Sequence, residues 1–345
     1  MKVYLSNVIC AEGKDWKVVC DSTNSKHYPL IFYSHAHSDH IPRKIPSTEI
    51  ITSSTTEILV KHFASSFEGA SFFQEYSLNG TSFVQKSSGH IVGSTALVIN
   101  SSEGKLVYTG DVSIRDKGFL EPFKPEKCDT LIIESTFGSP EYEFPNYSQI
   151  ISETKEEIRK YLEDDIPVVL MGYPLGKAQM LYHAFSDLTD LNIMHESNLR
   201  INNLLLSRNI KGSIPAISYQ NAEEDKILEE KKNWIFYAPL KSGRNEFNMY
   251  MRNKYGAKLF AFSGWCISSN YKFRMDVDHG IPMSDHADFS ELIEICEKCD
   301  PDSIYTIYGS NIKFAAELQR RGFNAYPLSK QTILESYFHK NKARS

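Results

Sequence analysis

Long apolar runs are missing from this 345-residue chain. No stretch approaches the roughly 20 residues that a membrane helix needs. The opening Met1-Lys2-Val3-Tyr4-Leu5 lacks the apolar block of a secretion signal. No membrane partner is expected, and the expectation is a soluble, intracellular, cytoplasmic protein. A basic excess is missing too: 38 Lys and Arg against 43 Asp and Glu leave a net charge of -5. That balance argues against a broadly basic surface, although a local basic groove can sit on an acidic protein. Cysteine is scarce and scattered, at Cys10, Cys20, Cys128, Cys266, Cys296 and Cys299. Cys296-Glu297-Lys298-Cys299 is a lone C-x-x-C without the second pair of a zinc ribbon, so buried, reduced thiols are expected. Internal repeats and low-complexity tracts are also absent, which speaks against a repeat array or a long linker.

What is present suffices for a core. Hydrophobic residues make up 41% of the chain, and the length predicts about two domains. Lys17–Cys20, Leu30–Ser34, Thr95–Asn100, Lys105–Tyr108 and Thr130–Ile133 read as strands, and Ser53–Phe63 as a helix opened by Ser53-Ser54. The rhythm changes near Asn146. An amphipathic helix over Ser148–Glu163 precedes a strand, Ile166–Met171, a turn, Gly172–Gly176, and a helix, Lys177–Phe185. Strand, glycine turn and helix form an α/β crossover unit, and Trp234–Pro239 and Lys258–Phe262 resemble further parallel strands. The stretch Glu223–Lys232 is strongly charged and reads as a solvated helix or loop. A helix over Ser290–Cys299, a strand over Ser303–Tyr308 and a helix over Ile312–Arg321 follow, and the Lys340–Ser345 end is expected to fray. The organisation predicted is one domain interrupted by another. Residues 1–149 and 265–345 form a discontinuous two-layered β scaffold, and residues 150–264 form an insert.

The densest chemistry lies in Tyr33-Ser34-His35-Ala36-His37-Ser38-Asp39-His40. Three imidazoles and a carboxylate fall within six residues, straight after the apolar run Leu30–Tyr33. Histidine and aspartate hold zinc and similar divalent ions. An H-x-H alternation on extended backbone sends both rings to one side. Asp39 and His40, on the following turn, can then face a second ion. His90, in Ser88-Gly89-His90-Ile91, and Asp111, in Thr109-Gly110-Asp111, would complete the set. Asp111 can bridge two ions, as in metal-assisted hydrolysis. Asp21, at another strand end, is a candidate to orient a ligand histidine, although a turn cap also explains it.

The residues His35, His37, Asp39 and His40, then Gly89-His90, then Gly110-Asp111, together resemble the H-x-H-x-D-H pattern of the metallo-β-lactamase superfamily. Ile132-Ile133-Glu134-Ser135-Thr136-Phe137-Gly138, Pro174-Leu175-Gly176-Lys177-Ala178-Gln179, Phe262-Ser263-Gly264-Trp265, Ser284-Asp285-His286-Ala287-Asp288 and Tyr305-Thr306-Ile307-Tyr308-Gly309 are similar to the motifs of its β-CASP nuclease branch. The likeness covers nearly the whole chain and extends to compact microbial ligase-associated exonucleases, mRNA 3′-end processing factor-like proteins and Artemis-type DNA nucleases. It implies an α/β fold, an αββα sandwich carrying an inserted α/β β-CASP domain that clamps nucleic acid. It also implies a phosphodiester hydrolase with one or two divalent metal ions. Zinc is the first expectation, and manganese or magnesium could take the second site.

On that resemblance, His35, His37, Asp39, His40, His90 and Asp111 are the metal ligands. Asp39, Glu134 and His286 are the catalytic candidates. His286 would serve as general acid, with Glu134 keeping its imidazole charged and fixing its tautomer. Gly176 and Lys177, at a turn opening a helix, could hold a phosphate. Lys241, Arg244, Arg252, Lys254 and Lys258 could line a phosphate track, and a solvated face explains them as well. One departure stands out: Tyr308 occupies the place where the family commonly carries a histidine ligand of the second ion. An under-coordinated second site follows, with Tyr308 beside the ligands rather than among them. RNA-cutting branches typically keep that histidine, and the Artemis-like DNA branch lacks it. DNA is therefore the favoured nucleic-acid partner. RNA is the alternative, and a non-catalytic nucleic-acid-binding subunit is a further one. Protein partners stay unassigned.

Overall fold

In the computed structural model, which describes residues 1–329, the chain divides into two units. The first holds residues 1–115 and 121–141 and the described residues from 286 onward; the second holds 116–120 and 142–285. The sequence-drawn boundaries at 149/150 and 264/265 both lie inside the second unit. The Lys340–Ser345 tail lies outside the described residues.

Short β-branched and aromatic runs build two sheets in the first unit. One has the order Lys2–Leu5, Ile9–Glu12, Lys17–Cys20, Leu30–Phe32, Glu49–Ile51, Ser71–Phe73. The other has the order Ala325–Pro327, Ser303–Ile307, Thr130–Glu134, Gly104–Tyr108, Thr95–Ser101, Thr81–Ser87, Tyr76–Leu78. Alternate strand residues point to opposite faces, and the burial follows that period. Val18 and Cys20 join Phe32, Ile51, Leu97, Ile99, Leu106 and Tyr108 in the core between the sheets, whereas Val19 packs outward with Val8 and Cys10. The outer face of the second sheet presents Val98, Val107, Leu131, Ile133 and Ile304. It is covered by the helices Phe289–Cys299 and Asn311–Arg320 through Leu292, Ile295, Cys296, Phe314 and Leu318. Two packed β layers, the second covered on its outer face by these helices, make a mixed α/β sandwich.

This topology sets where chemistry can gather. Thr130–Glu134 pairs in parallel with both Gly104–Tyr108 and Ser303–Ile307. The three strands therefore end together, bringing the residues beyond Tyr108, Glu134 and Ile307 to one edge. The turn between Thr81–Ser87 and Thr95–Ser101, which carries His90, lies at the same end of the sheet.

The second unit has its own all-parallel sheet, ordered Ile217–Ser218, Asn192–Met194, Ile235–Pro239, Val168–Gly172, Lys258–Phe262, His279–Ile281. Trp234, Phe236, Met171, Leu259 and Met251 lie in its core. The helix Glu246–Tyr255 stops at Gly256, whose φ of 70° is the left-handed C-terminal geometry that glycine adopts without a Cβ penalty. The charged stretch Glu223–Lys232 is solvated, as expected, with every residue exposed except Ile227 and Leu228. It lies across two short helices, Tyr219–Glu224 and Ile227–Glu230, and tucks Leu228 into the core. Among the described residues no helix is long and apolar enough to cross a membrane. All six cysteines are free thiols, and Cys296 and Cys299 are fully buried.

Candidate metal centre

The strand Leu30–Phe32 delivers an extended segment whose alternation brings His35 and His37 to one side, where His90 and Asp111 arrive from the second sheet. His35 Nε2 is 3.0 Å from His37 Nδ1, and His90 Nε2 is 3.3 Å from the same atom. Asp111 Oδ2 stands 3.5 Å from both His35 Nε2 and His90 Nε2. All four donor atoms lie within 4.8 Å of one another. A tetrahedral ion with bonds of 2.0–2.1 Å spaces its donors about 3.3 Å apart. The four side chains thus fit a divalent metal ion by donor type and by spacing.

The hydrogen-bond pattern fixes the tautomers. Ser34 Oγ donates to Asp21 Oδ2 at 2.7 Å and lies 2.9 Å from His35 Nδ1. With its proton committed to Asp21, Ser34 Oγ can only accept from His35 Nδ1–H. His35 Nε2 keeps its lone pair, facing the cluster. Asp21 also accepts from the Ser34 backbone N–H at 2.7 Å and from Tyr108 Oη at 2.6 Å, and it pairs with His40 Nδ1 at 3.0 Å. His40 then turns Nε2 toward Asp111 Oδ2, 3.4 Å away, and Asp39 Oδ2, 3.9 Å away. Asp39 itself is exposed.

Charge follows geometry. Burial, with His40 next to it, holds the His35 imidazole well below the usual histidine range, so its ring is neutral. Burial would lower His40 as well, but the Asp111 and Asp21 carboxylates hold it well above that range. Burial alone would raise the Asp111 carboxyl; His40 and His286 beside it keep it well below its ordinary value and ionised.

Glu134 and His286 meet at the same edge. His286 Nδ1 is 2.9 Å from Glu134 Oε1, and ligand atoms of Asp111, Glu134 and His286 fall within 4.8 Å of one another. The His286 ring centroid lies 4.4 Å from that of His90. Tyr308 adopts a left-handed φ of 58°. Its ring centroid is 5.2 Å from that of His40, and its hydroxyl is 3.2 Å from Tyr108 Oη. Burial pushes the Tyr308 phenol well above its ordinary value, so it stays protonated and is a poor metal ligand.

The glycine turn of the second unit has a different use from the one its sequence suggests. The Gly176 N–H donates to Gln179 Oε1 at 2.6 Å, and Lys177 is buried with Nζ 3.1 Å from Asp285 Oδ1. The cation that was a phosphate candidate is spent on an internal carboxylate. Three of the five expected phosphate-track cations are likewise engaged. Arg252 pairs with Asp276 and Asp278, Lys254 with Glu229, and Lys258 with Asp278. Sequence reasoning missed Ser34 and Tyr108, which orient Asp21. Ser34 had a signal, its position beside His35, whereas Tyr108 sits in an apolar strand and reads as core.

No family model matches the chain. A probable DNA ligase from Opitutus terrae is 28% identical over 316 residues, 90% of this chain and 30% of that protein. DNA cross-link repair protein SNM1 from Arabidopsis thaliana is 22% identical over 301 residues, 79% of this chain and 59% of that one. An RNase J-like protein from Methanocaldococcus jannaschii is 27% identical over 180 residues, 45% of this chain and 43% of that one. The chain thus spans between 30% and 59% of the length of these curated relatives. A crystal structure of a protein of unknown function from Enterococcus faecalis V583 shares the fold, with a TM-score of 0.62 at 15% identity, covering 94% of this chain and 95% of that one.

Proposed function

We propose that the chain is a β-CASP member of the metallo-β-lactamase superfamily, as its relatives suggest, and a metal-dependent nuclease that hydrolyses phosphodiester bonds, with DNA as its substrate. The observation that carries the reading is the convergence of His35, His37, His90 and Asp111 next to the His286–Glu134 pair. His35, His37, His90 and Asp111 would hold the first ion, zinc by their donor set. A bound divalent ion supplies Lewis-acid polarisation of the scissile phosphate and activation of a water molecule.

The chain's own residues do the rest. Asp21, through Ser34, holds the His35 ring in the tautomer whose Nε2 faces the cluster. Glu134 accepts from His286 Nδ1, which leaves His286 Nε2 to carry the proton that the leaving oxygen takes. Asp39, His40 and Asp111 are the groups available to a second ion, manganese or magnesium among the candidates, with Tyr308 adjoining them but not a ligand. The unit of residues 1–115, 121–141 and the described residues from 286 onward is taken as the hydrolase scaffold, and the unit holding 142–285 as the β-CASP insert.

Substrate preference rests on coverage. The two relatives named for DNA match 90% and 79% of this chain, whereas the RNase J-like relative matches 45%. The lone tyrosine at 308 leans the same way. RNA-end processing is the second reading, favoured by the RNase J-like relative. The test is a metal-supplemented assay on end-labelled single-stranded DNA, duplex DNA and RNA, using the parent and His37→Ala. Cutting of DNA by the parent and its loss in the variant is the expected result, with about one to two ions per parent chain. Equal cutting by both proteins, or a parent that holds no metal, would overturn the proposal.

A further inference from the structure

Three of the six cysteines gather in one place. Cys128, Cys296 and Cys299 share the core between the second sheet of the first unit and its covering helices, whereas Cys10, Cys20 and Cys266 lie elsewhere. Cys128 precedes the strand Thr130–Glu134, and Cys299 ends the helix Phe289–Cys299. The Cys128 N–H donates to Cys299 O at 3.0 Å. The Ser303 N–H donates to Asp129 O at 3.2 Å, where Ser303–Ile307 starts to pair with Thr130–Glu134. Backbones joined this way bring their Cα atoms to about 5–6 Å, inside the span that a disulfide bridges. The two thiols are themselves within hydrogen-bonding reach of each other. Adjacent strands alone do not achieve this. Cys10 and Cys20 sit on paired strands, yet Cys20 faces the core between the sheets and Cys10 faces outward.

Spacing in the sequence sets Cys299 beside Cys296, one helical turn away, but its hydrogen bond runs to Cys128. That bond makes the pair unequal. Donating it holds the Cys128 thiol well above the ordinary value of 9.0, and burial pushes the same way. Cys299 accepts from Cys128 and from the Glu126 N–H, which outweigh burial and bring its thiol below that value. Cys299 therefore supplies the thiolate and Cys128 keeps its proton. Cys296 and Cys299 are fully buried and Cys128 is 7% exposed, so the pair opens to solvent only through Cys128. That opening suits a small peroxide and not a bulky disulfide reagent. As packing, each cysteine is a small apolar side chain that other residues could replace. What two adjoining sulfurs add is the ability to bond to each other.

We propose that Cys128 and Cys299 form a dithiol site that small peroxides oxidise to a disulfide, locking the helix Phe289–Cys299 to the strand Thr130–Glu134. The Cys299 thiolate attacks one oxygen of hydrogen peroxide; an S–O bond forms, the O–O bond breaks and hydroxide leaves. The Cys128 sulfur then attacks the Cys299 sulfenic acid. The S–S bond forms, the S–O bond breaks, and the leaving oxygen takes the Cys128 proton to become water. The hydroxide takes the proton that Cys299 had given up. Two thiols lose two electrons in all, and one peroxide becomes two waters. The new bond closes a loop from residue 128 to residue 299 that contains segment 142–285 of the second unit. Cross-links across long loops restrict the unfolded chain most. The helix has 11 residues and the strand 5, so each spans about 16 Å. Glu134 ends the strand and His286 precedes the helix, so the disulfide forms at the end remote from them.

The reduced full chain, freed of reductant and held in chelator, is treated with a small excess of hydrogen peroxide. It is then unfolded in N-ethylmaleimide, digested and read by mass spectrometry. The expected result is loss of two of the six thiols and one cross-linked peptide pair containing Cys128 and Cys299. The oxidised parent should melt about 5 °C or more above the reduced parent, and dithiothreitol should return it to the reduced value. Cys128→Ser, which keeps the size of the side chain, should form no such link and show no rise. Cys296→Ala should behave as the parent. Six thiols intact after peroxide, a disulfide between Cys296 and Cys299 in its place, or a cross-linked parent that melts no higher than the reduced one overturns the site. The mapping is made on the parent, so the outcome holds whether or not a variant folds. Cleavage is not measured, so the site can fail while the nuclease reading stands, and the reverse.

Discussion

Glu134 Oε1 stands 2.9 Å from His286 Nδ1 and accepts the backbone N–H of Val112 at 2.8 Å. Ala287 N–H in turn donates to Val112 O at 2.7 Å. One buried carboxylate thus ties the residue after Asp111 to the segment carrying His286. Arg115 braces the same junction from outside, with Nε 2.6 Å from Glu291 and Nη2 on Asp288, the residue that caps the helix Phe289–Cys299. The ligand and the proposed acid are held in one frame, so their separation is set by backbone hydrogen bonds rather than by free side-chain rotation.

Glu134→Gln keeps the shape of this frame and removes its charge. The amide can still accept from one donor, but it no longer stabilises a charged imidazole, so the cost falls on the turnover step. A loss of about 10- to 100-fold in kcat with a small change in KM is expected, and His286→Ala should lose about 100- to 10,000-fold. Bound metal, measured by elemental analysis, should equal the parent's in both variants. Metal loss in Glu134→Gln would mean that the carboxylate builds the ion site rather than orienting the acid.

Tyr308→His tests the second ion. The phenol bonds Tyr108 Oη instead of offering a lone pair, and its ring faces His40. An imidazole there adds a neutral donor to the set of Asp39, His40 and Asp111, and each added ligand raises affinity. The second ion should bind about tenfold or more tightly in the variant, read by titration with manganese against a competing chelator. An unchanged second-site affinity would show that the tyrosine is not what limits occupancy.

Acid should weaken the second unit through Asp278. Burial raises this carboxyl, but the Leu259 N–H, Arg252 and Lys258 outweigh it, and the net shift lies below the ordinary value of 3.8. A depressed carboxyl contributes stability that is present above its unfolded pKa and is lost as pH falls through the lower, folded one. Asp278→Asn should therefore be less stable than the parent at pH 7 by about 1 kcal/mol. The gap should narrow below pH 3.8, where the parent's carboxylate also takes up its proton. Thermal melts at neutral and acid pH measure both differences. A gap that stays constant with pH would place the effect in packing rather than charge.

The contiguous ligand cluster is legible because covalent proximity does the work: His35, His37 and His40 are neighbours in any fold that places them on a strand end. Glu134 and His286 are 152 residues apart, and nothing local to either announces the other. Only motif resemblance joins them before the structure does. The strands Lys2–Leu5 and Ser71–Phe73 escaped notice because three or four half-exposed residues carry too short a pattern to show a period of two. Asp21 was readable as a strand-end acid, but its partner Tyr108 was not, since a tyrosine in an apolar run looks like packing until its hydroxyl finds a buried carboxylate.

Lys177 illustrates the opposite failure and carries the last prediction. A glycine turn opening a helix looks the same whether its lysine faces a phosphate or an internal acid. The decision is made by Asp285, 108 residues away, whose Oδ1 takes the ammonium at 3.1 Å while its backbone carbonyl accepts from Lys117 Nζ at 3.0 Å. Lys177 and Lys117 are both buried. Removing one partner of a buried pair strands the other charge, so Lys177→Ala should destabilise the protein by about 3–5 kcal/mol. Replacing both partners by apolar residues of similar size, Lys177→Met with Asp285→Leu, should recover most of that loss. Chemical denaturation of the three proteins measures this. A Lys177→Ala protein as stable as the parent, with weakened polynucleotide binding alone, would restore the phosphate role to this lysine.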